Sequence, residues 1–307
     1  MPLVTSKELL LAALEGRYAI GAFNANNMEQ VQGIVDAAVE EKAPVILQVS
    51  QGAIRYAGLE TAAGLVKIAA SEANVPVVLH LDHGTDVEQN VRCLRAGFTS
   101  LMFDGSKKSY EENVATTAKV AQIAHWCNIP VEAELGRVLQ STDGVTEADV
   151  RAAMTDPDQA LDFCTRTTCD SLAVAVGSVH AMQQAAANLD IERIKAIRAK
   201  VSVPFVLHGS SGVTEESEVE AIGYGIAKIN VATLLNVAFT QALIKSIEAQ
   251  PGNVDPRKFL LGSREAVKEV VRHKIRLFGS AGIVNSSGGL ISPKTSHRSA
   301  HLGGAEE

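Results

Sequence analysis

Residues 77–84 read Val77-Val78-Leu79-His80-Leu81-Asp82-His83-Gly84, a short apolar run that turns ionisable at its carboxyl end. Such a run predicts a buried strand over residues 77–81, with His80, Asp82 and His83 at its end. Outward from it the pattern repeats. Further strands are predicted at 18–23, 44–49, 100–103, 131–135, 171–176, 205–207 and 226–230, separated by amphipathic stretches such as 28–41 and 110–126. No break in composition interrupts the alternation, which predicts one α/β domain over residues 1–284. These βα units close most naturally into a (β/α)8 TIM barrel with extra C-terminal helices running on from 232 to 278. A doubly wound open sheet gives a similar string, and counting strands does not separate the two.

The polar residues carry the next step. His180 follows the strand predicted at 171–176, and His208 ends the one at 205–207. In a barrel these carboxyl ends converge on one face, so imidazoles distant in sequence meet around one ion. Three histidines with an open position suit a catalytic zinc. A lone histidine at such a place is more often a satisfied core or loop residue; the joint placement points to metal. Asp104 lies just past residues 100–103, and Glu132 and Glu134 share one side of their strand. Inside a barrel that pair implies a second cation site or an ion pair, with Arg137 or nearby lysines as the plainer partners. Two later strands run into glycine and hydroxyl residues, His208-Gly209-Ser210-Ser211-Gly212 and Asn230-Val231-Ala232-Thr233. Phosphate sites of barrels sit there, although an ordinary helix cap looks the same.

Composition agrees with a large buried core: 46% of the 307 residues are hydrophobic and only 4% aromatic. The formal charge is −7 with scattered cations, which argues against a nucleic-acid partner. Cys93, Cys127, Cys164 and Cys169 form no CxxC pair and read as reduced core thiols. No signal core and no long apolar run occurs, so a soluble cytoplasmic protein without membrane partners is expected. The loop at 137–156 is long enough to be functional, and 285–307 reads as a disordered tail.

Several segments stand out together: Gly21-Ala22-Phe23-Asn24, residues 78–84, Asp104-Gly105-Ser106, Val131-Glu132-Ala133-Glu134-Leu135-Gly136-Arg137, His208-Gly209, Lys228-Ile229-Asn230-Val231 and Phe278-Gly279-Ser280-Ala281. With them the chain resembles the class II zinc-dependent ketose-bisphosphate aldolases, those of fructose and tagatose bisphosphate, from about residue 3 to Gly282. The resemblance implies reversible retro-aldol cleavage of a phosphorylated ketose to dihydroxyacetone phosphate and an aldehyde. It implies Zn2+ held by His83, His180 and His208, with Asp82 as acid and base at the C4 hydroxyl. Asp104 and Glu134 match the family's second metal site, for a further divalent or a monovalent cation. Gly209, Ser210, Ser211, Asn230, Ala232 and Thr233 match its phosphate loops, with Ala181 beside them and Asn230 close to the enediolate. Asn24 and Ser50 line the same pocket. Arg257 matches an arginine that grips the far phosphate across a subunit interface, which implies a homodimer or homotetramer.

Three positions depart from the family pattern. His180-Ala181-Met182-Gln183-Gln184-Ala185 lacks the family's glycine and lysine, Thr142 stands where its glutamate falls with Asp143 adjacent, and Ala232 leans toward tagatose-type enzymes. A paralogue specialised for another ketose phosphate, or one of low activity, is therefore a live alternative. A metal-dependent hydrolase would be expected to show an HxH pair after its first strand, where Asn24 and Asn26 stand. A non-enzymatic zinc barrel leaves Asp82, beside a ligand, without a purpose.

Overall fold

The computed structural model of the chain describes residues 3–141, 144–182 and 187–291. Every predicted strand forms: β1 (Ile20–Asn24), β2 (Val45–Ser50), β3 (Val77–Asp82), β4 (Leu101–Phe103), β5 (Val131–Leu135), β6 (Ser171–Val174), β7 (Phe205–Leu207) and β8 (Ile226–Val231). All pair in parallel in the order β3-β2-β1-β8-β7-β6-β5-β4. The two ends of that row meet. His80 bridges Ser100 and Gly84 bridges Phe103, and Leu81 N–H donates to Ser100 O at 3.1 Å. The open-sheet alternative is thereby excluded, and the chain is a TIM barrel.

Alternation along the strands sorts their side chains into two sets. Val77, Leu79 and Leu81 of β3, Val45, Leu47 and Val49 of β2, and Val131, Ala133 and Leu135 of β5 join the core beneath the outer helices. The residues between them point into the barrel. Its lower layers are apolar: Ile20, Ala22, Ile46, Val78 and Ala227 pack against Leu9, Leu10 and Ala13 of the N-terminal helix Ser6–Gly16, which closes the floor. Its upper layers hold Asn24, Gln48, His80, Asp82, Glu132, Glu134, Lys228 and Asn230, all buried. The polar residues thus occupy the end at which barrel enzymes work.

Helices Thr233–Ala249 and Pro256–Leu277 extend the ring, and the second lies on Met28–Glu40. The approach is close enough that a Cβ at Gly33 would meet Arg264 O at 2.8 Å. Arg264 pairs with Asp36 across this seam, and Arg272 and Arg276 both reach Glu41. Among the described residues no helix is long and apolar enough to cross a membrane.

Local differences from the sequence reading have physical causes. The 137–156 segment is not structureless: Leu139–Gln140 pairs with Val179–His180 as a small parallel ribbon, and Glu147–Ala152 is a helix capped by Thr146. Residues 285–291, expected as the start of the tail, form a turn: Asn285 Oδ1 accepts from Gly289 N and Ile291 N donates to Ile283 O. Residues 292–307 lie outside the described ones. Not all cysteines are core thiols: Cys127 is exposed just past helix Tyr110–Trp126, and Cys164 is partly exposed.

Candidate active site

Each imidazole of the upper layer arrives from a different strand end. His83 follows β3 in a left-handed conformation, φ 49°, which swings its ring inward from a position that would otherwise continue the strand. His180 ends the small ribbon, and His208 follows β7. Their ring centroids lie 4.7 Å (His83–His208), 5.4 Å (His83–His180) and 6.0 Å (His180–His208) apart, with ligating nitrogens of all three within 4.8 Å of one another. His83, Asp104 and Glu134 form a second such group sharing the His83 ring.

The carboxylates around them are unevenly satisfied. Asp82 Oδ2 accepts from Asn24 Nδ2 at 2.8 Å, and Asn24 Oδ1 accepts from Gln48 Nε2 at 3.0 Å. The other oxygen, Oδ1, is buried without a partner and lies 3.9 Å from His83 Nε2. Glu134 Oε2 and Asn230 Oδ1 are likewise buried and unpartnered. Buried polar atoms are rarely left so. Burial pushes Asp82 upward, yet the charges of His83 and Lys228 and the Asn24 hydrogen bond outweigh it and hold the carboxyl below its usual range. Burial and the neighbouring Asp104 push Glu134 up. His83 resists burial because Asp82, Asp104 and Glu134 surround it, and its pKa is raised to about 10. His180, buried beside two other imidazoles, is pushed down to about 3.

His83, His180, Asp104 and Glu134 open onto a cleft of about 270 Å³, which Ser50, Arg55, Lys107 and Arg137 also line. Next to His180, Gly209, φ 68°, starts the short turn Ser210–Gly212, and a Cβ there would meet the Val179 carbonyl carbon at 2.9 Å, so the position needs glycine. Ser211 lies in that turn, while Ser210 is committed elsewhere, its Oγ donating to Asn230 O at 2.5 Å. Ala232 gives helix Thr233–Ala249 no side-chain cap, so the first N–H groups of that helix keep their capacity for an anion.

Not every expected residue joins the cleft. Arg257 lies at the start of helix Pro256–Leu277 with its side chain 89% exposed, paired to Asp255 at 2.8 Å. Ala181 is exposed with φ 61°. Thr142, Asp143 and residues 183–186 lie outside the described ones. Sequence reasoning missed Gln48, Lys107 and Arg55, and took Lys228 only as part of a motif. A polar residue at every second place of an otherwise apolar strand was the available signal for Gln48 and Lys228.

A closed parallel barrel with ionisable side chains gathered at the carboxyl ends of its strands defines a TIM-barrel enzyme. The family model described as fructose-bisphosphate aldolase class-II matches residues 4–283. A probable fructose-bisphosphate aldolase of Bacillus subtilis is 44% identical over 92% of this chain and 99% of its own length, and the fructose-bisphosphate aldolase of Geobacillus stearothermophilus is also 44% identical. Among solved structures, the YdjI aldolase of Escherichia coli K12 superposes with a TM-score of 0.80 at 38% identity, covering 91% of this chain and 98% of that one. The chain belongs to the class II fructose-bisphosphate aldolase family, and is therefore a lyase.

Proposed function

We propose that this chain catalyses reversible retro-aldol cleavage of a phosphorylated ketose, similar to tagatose or fructose bisphosphate, to dihydroxyacetone phosphate and an aldehyde. The observation that carries the proposal is the convergence of His83, His180 and His208 nitrogens within 4.8 Å beside the unpartnered oxygen of Asp82. The donor set fits zinc: three imidazoles converge, and orphaned carboxylate oxygens of Asp82 and Glu134 supply compensating charge. Zinc bound there supplies Lewis-acid polarisation of the ketose carbonyl. Asp104 and Glu134 suit a second cation.

The chain's own side chains then divide the work. Asn24 holds one oxygen of Asp82, leaving Oδ1 to take the C4 hydroxyl proton as the C3–C4 bond breaks and to return it in the reverse direction. Asn230 Oδ1 accepts a hydroxyl of the three-carbon half. The Gly209 turn, Ser211, Thr233 and the uncapped N-terminus at Ala232 receive one phosphate through N–H and hydroxyl donors. Ser50, Arg55, Lys107 and Arg137 face the remaining anionic portion of the substrate. Arg257, turned away from its own cleft, serves a neighbouring subunit in a homodimer or homotetramer; Ile244, Ile247 and Leu261, exposed on the same helical pair, support such an interface.

A second reading is favoured by Ala181. Its φ of 61° is a conformation suited to glycine, so this loop carries strain that the family's usual residue avoids. The substrate is then a different ketose phosphate. Retro-aldol turnover of zinc-loaded protein on tagatose bisphosphate, fructose bisphosphate and ketose monophosphates tests both readings. Turnover that chelation and Asp82→Ala abolish establishes the chemistry and names the sugar. Silence across the panel with zinc bound refutes the proposed function.

A further inference from the structure

Beneath the three imidazoles lies a buried polar layer that the proposed chemistry does not touch. Lys228, Glu132 and His80 are at most 2% exposed. Glu132 Oε2 accepts from Lys228 Nζ at 2.8 Å, and Glu132 Oε1 lies 3.0 Å from His208 Nε2. His80 Nε2 lies 3.4 Å from Lys228 Nζ, and His80 Nδ1 lies 2.8 Å from Ser100 Oγ.

Donor and acceptor capacity settles where the protons are. An ammonium only donates, so His80 Nε2 accepts and the His80 proton sits on Nδ1, toward Ser100. Burial and Lys228 push His80 down to about 3, in keeping with a neutral ring. The buried Lys228 ammonium has Glu132 as its counter-ion at 2.8 Å, so the carboxyl is the carboxylate. An ionised Glu132 accepts at both oxygens, from Lys228 at one and from His208 Nε2–H at the other. His208 Nδ1 is left with its lone pair, facing His83 Nε2 at 3.1 Å.

We infer that Lys228 and Glu132 are positioning residues that fix the tautomer of His208, so that Nδ1 is presented to the metal. The inference rests on the reading that His83, His180 and His208 hold zinc. Hydrogen-bonded outer partners of this kind orient a ligating imidazole and raise its basicity.

Glu132→Gln is the discriminating change, because an amide has one oxygen and one NH2 where the carboxylate has two acceptors. Lys228 claims the oxygen. The NH2 then faces His208 Nε2 and drives the ring proton to Nδ1, where it blocks the metal. Adding Lys228→Met lifts that demand: the amide oxygen takes Nε2–H of His208, and the NH2 donates to His80 Nε2, the atom 3.7 Å from Glu132 Oε2 in the native protein. Removing a second charged side chain thus repairs the damage of the first, which a purely structural role does not produce.

The test combines nitrogen-15 NMR of the histidine rings in the metal-free full chain with zinc affinity measured against a chromophoric chelator. The native protein should show Nε2–H at His208. Glu132→Gln should show Nδ1–H and bind zinc about 10–100-fold more weakly, and the double variant should recover the native tautomer and most of the affinity. Nδ1–H at His208 in the native protein overturns the inference, and so does a double variant no better than Glu132→Gln. The native tautomer decides even where a variant fails to fold. Native protein with Nε2–H at His208 but no affinity for zinc overturns the metal reading instead, so the two failures are distinguishable.

Discussion

The two ends of the barrel are built from the same strands and obey opposite rules. At the floor, Ile20, Ile46 and Val78 meet Leu9 and Leu10 in a dry layer. At the top, the next inward positions of those strands are Ala22 then Asn24, Gln48 and His80, and the buried layer ends in unpartnered oxygens of Asp82, Glu134 and Asn230. One end supplies stability and the other holds polar groups in place at a cost to stability. A change to one of the unpartnered groups at the top should therefore alter chemistry and leave folding alone, while a change at the floor should do the reverse.

The largest separation is expected for Asp82→Ala. Turnover should fall about 10²- to 10⁴-fold, the usual contribution of a placed acid or base, with little change in melting temperature because the loss of the Asn24 hydrogen bond at Oδ2 is offset by removal of a buried carboxylate whose Oδ1 has no partner. A large drop in melting temperature would break the contrast between the two ends. The mirror experiment is Leu10→Ala, which should cost about 2–5 kcal/mol of stability in denaturant titration while zinc affinity holds. Loss of zinc affinity there would mean that the floor sets the geometry of the top. Smaller still, Asn24→Ala should slow turnover about tenfold or more at unchanged zinc affinity, since it frees Asp82 without touching an imidazole. The smallest effect is read by calorimetry in buffers of different ionisation heat. His83 keeps its proton up to about pH 10 in the metal-free protein, so zinc binding at neutral pH should release about one proton and tighten as pH rises. Release of none would show that His83 is not the protonated ligand.

Much of this was legible before any coordinates. The strands showed themselves as apolar runs, and the histidines at their ends marked the working face, because both signals are local. Closure was not legible, for it depends on Leu81 and Ser100 backbones meeting, and no side-chain pattern records that. Glu132 and Glu134 were seen to share a side but not to part company: Glu132 is tied down by Lys228, whereas Glu134 keeps a free oxygen. That division depends on a lysine from β8, distant in sequence. The left-handed turns at His83 and Ala181 were equally hidden, since neither residue type announces a positive φ.

The pairing of β1 with β8 has a consequence for how the protein is made. Ile20 pairs with Lys228, and helix Met28–Glu40 takes most of its cover from Pro256–Leu277. On a ribosome, all eight strands must emerge before the first strand loses its open edge. The same late contact brings Lys228 into the barrel, so a chain that has not yet reached β8 holds Glu132 without its cation, and the working face forms only after that strand has emerged.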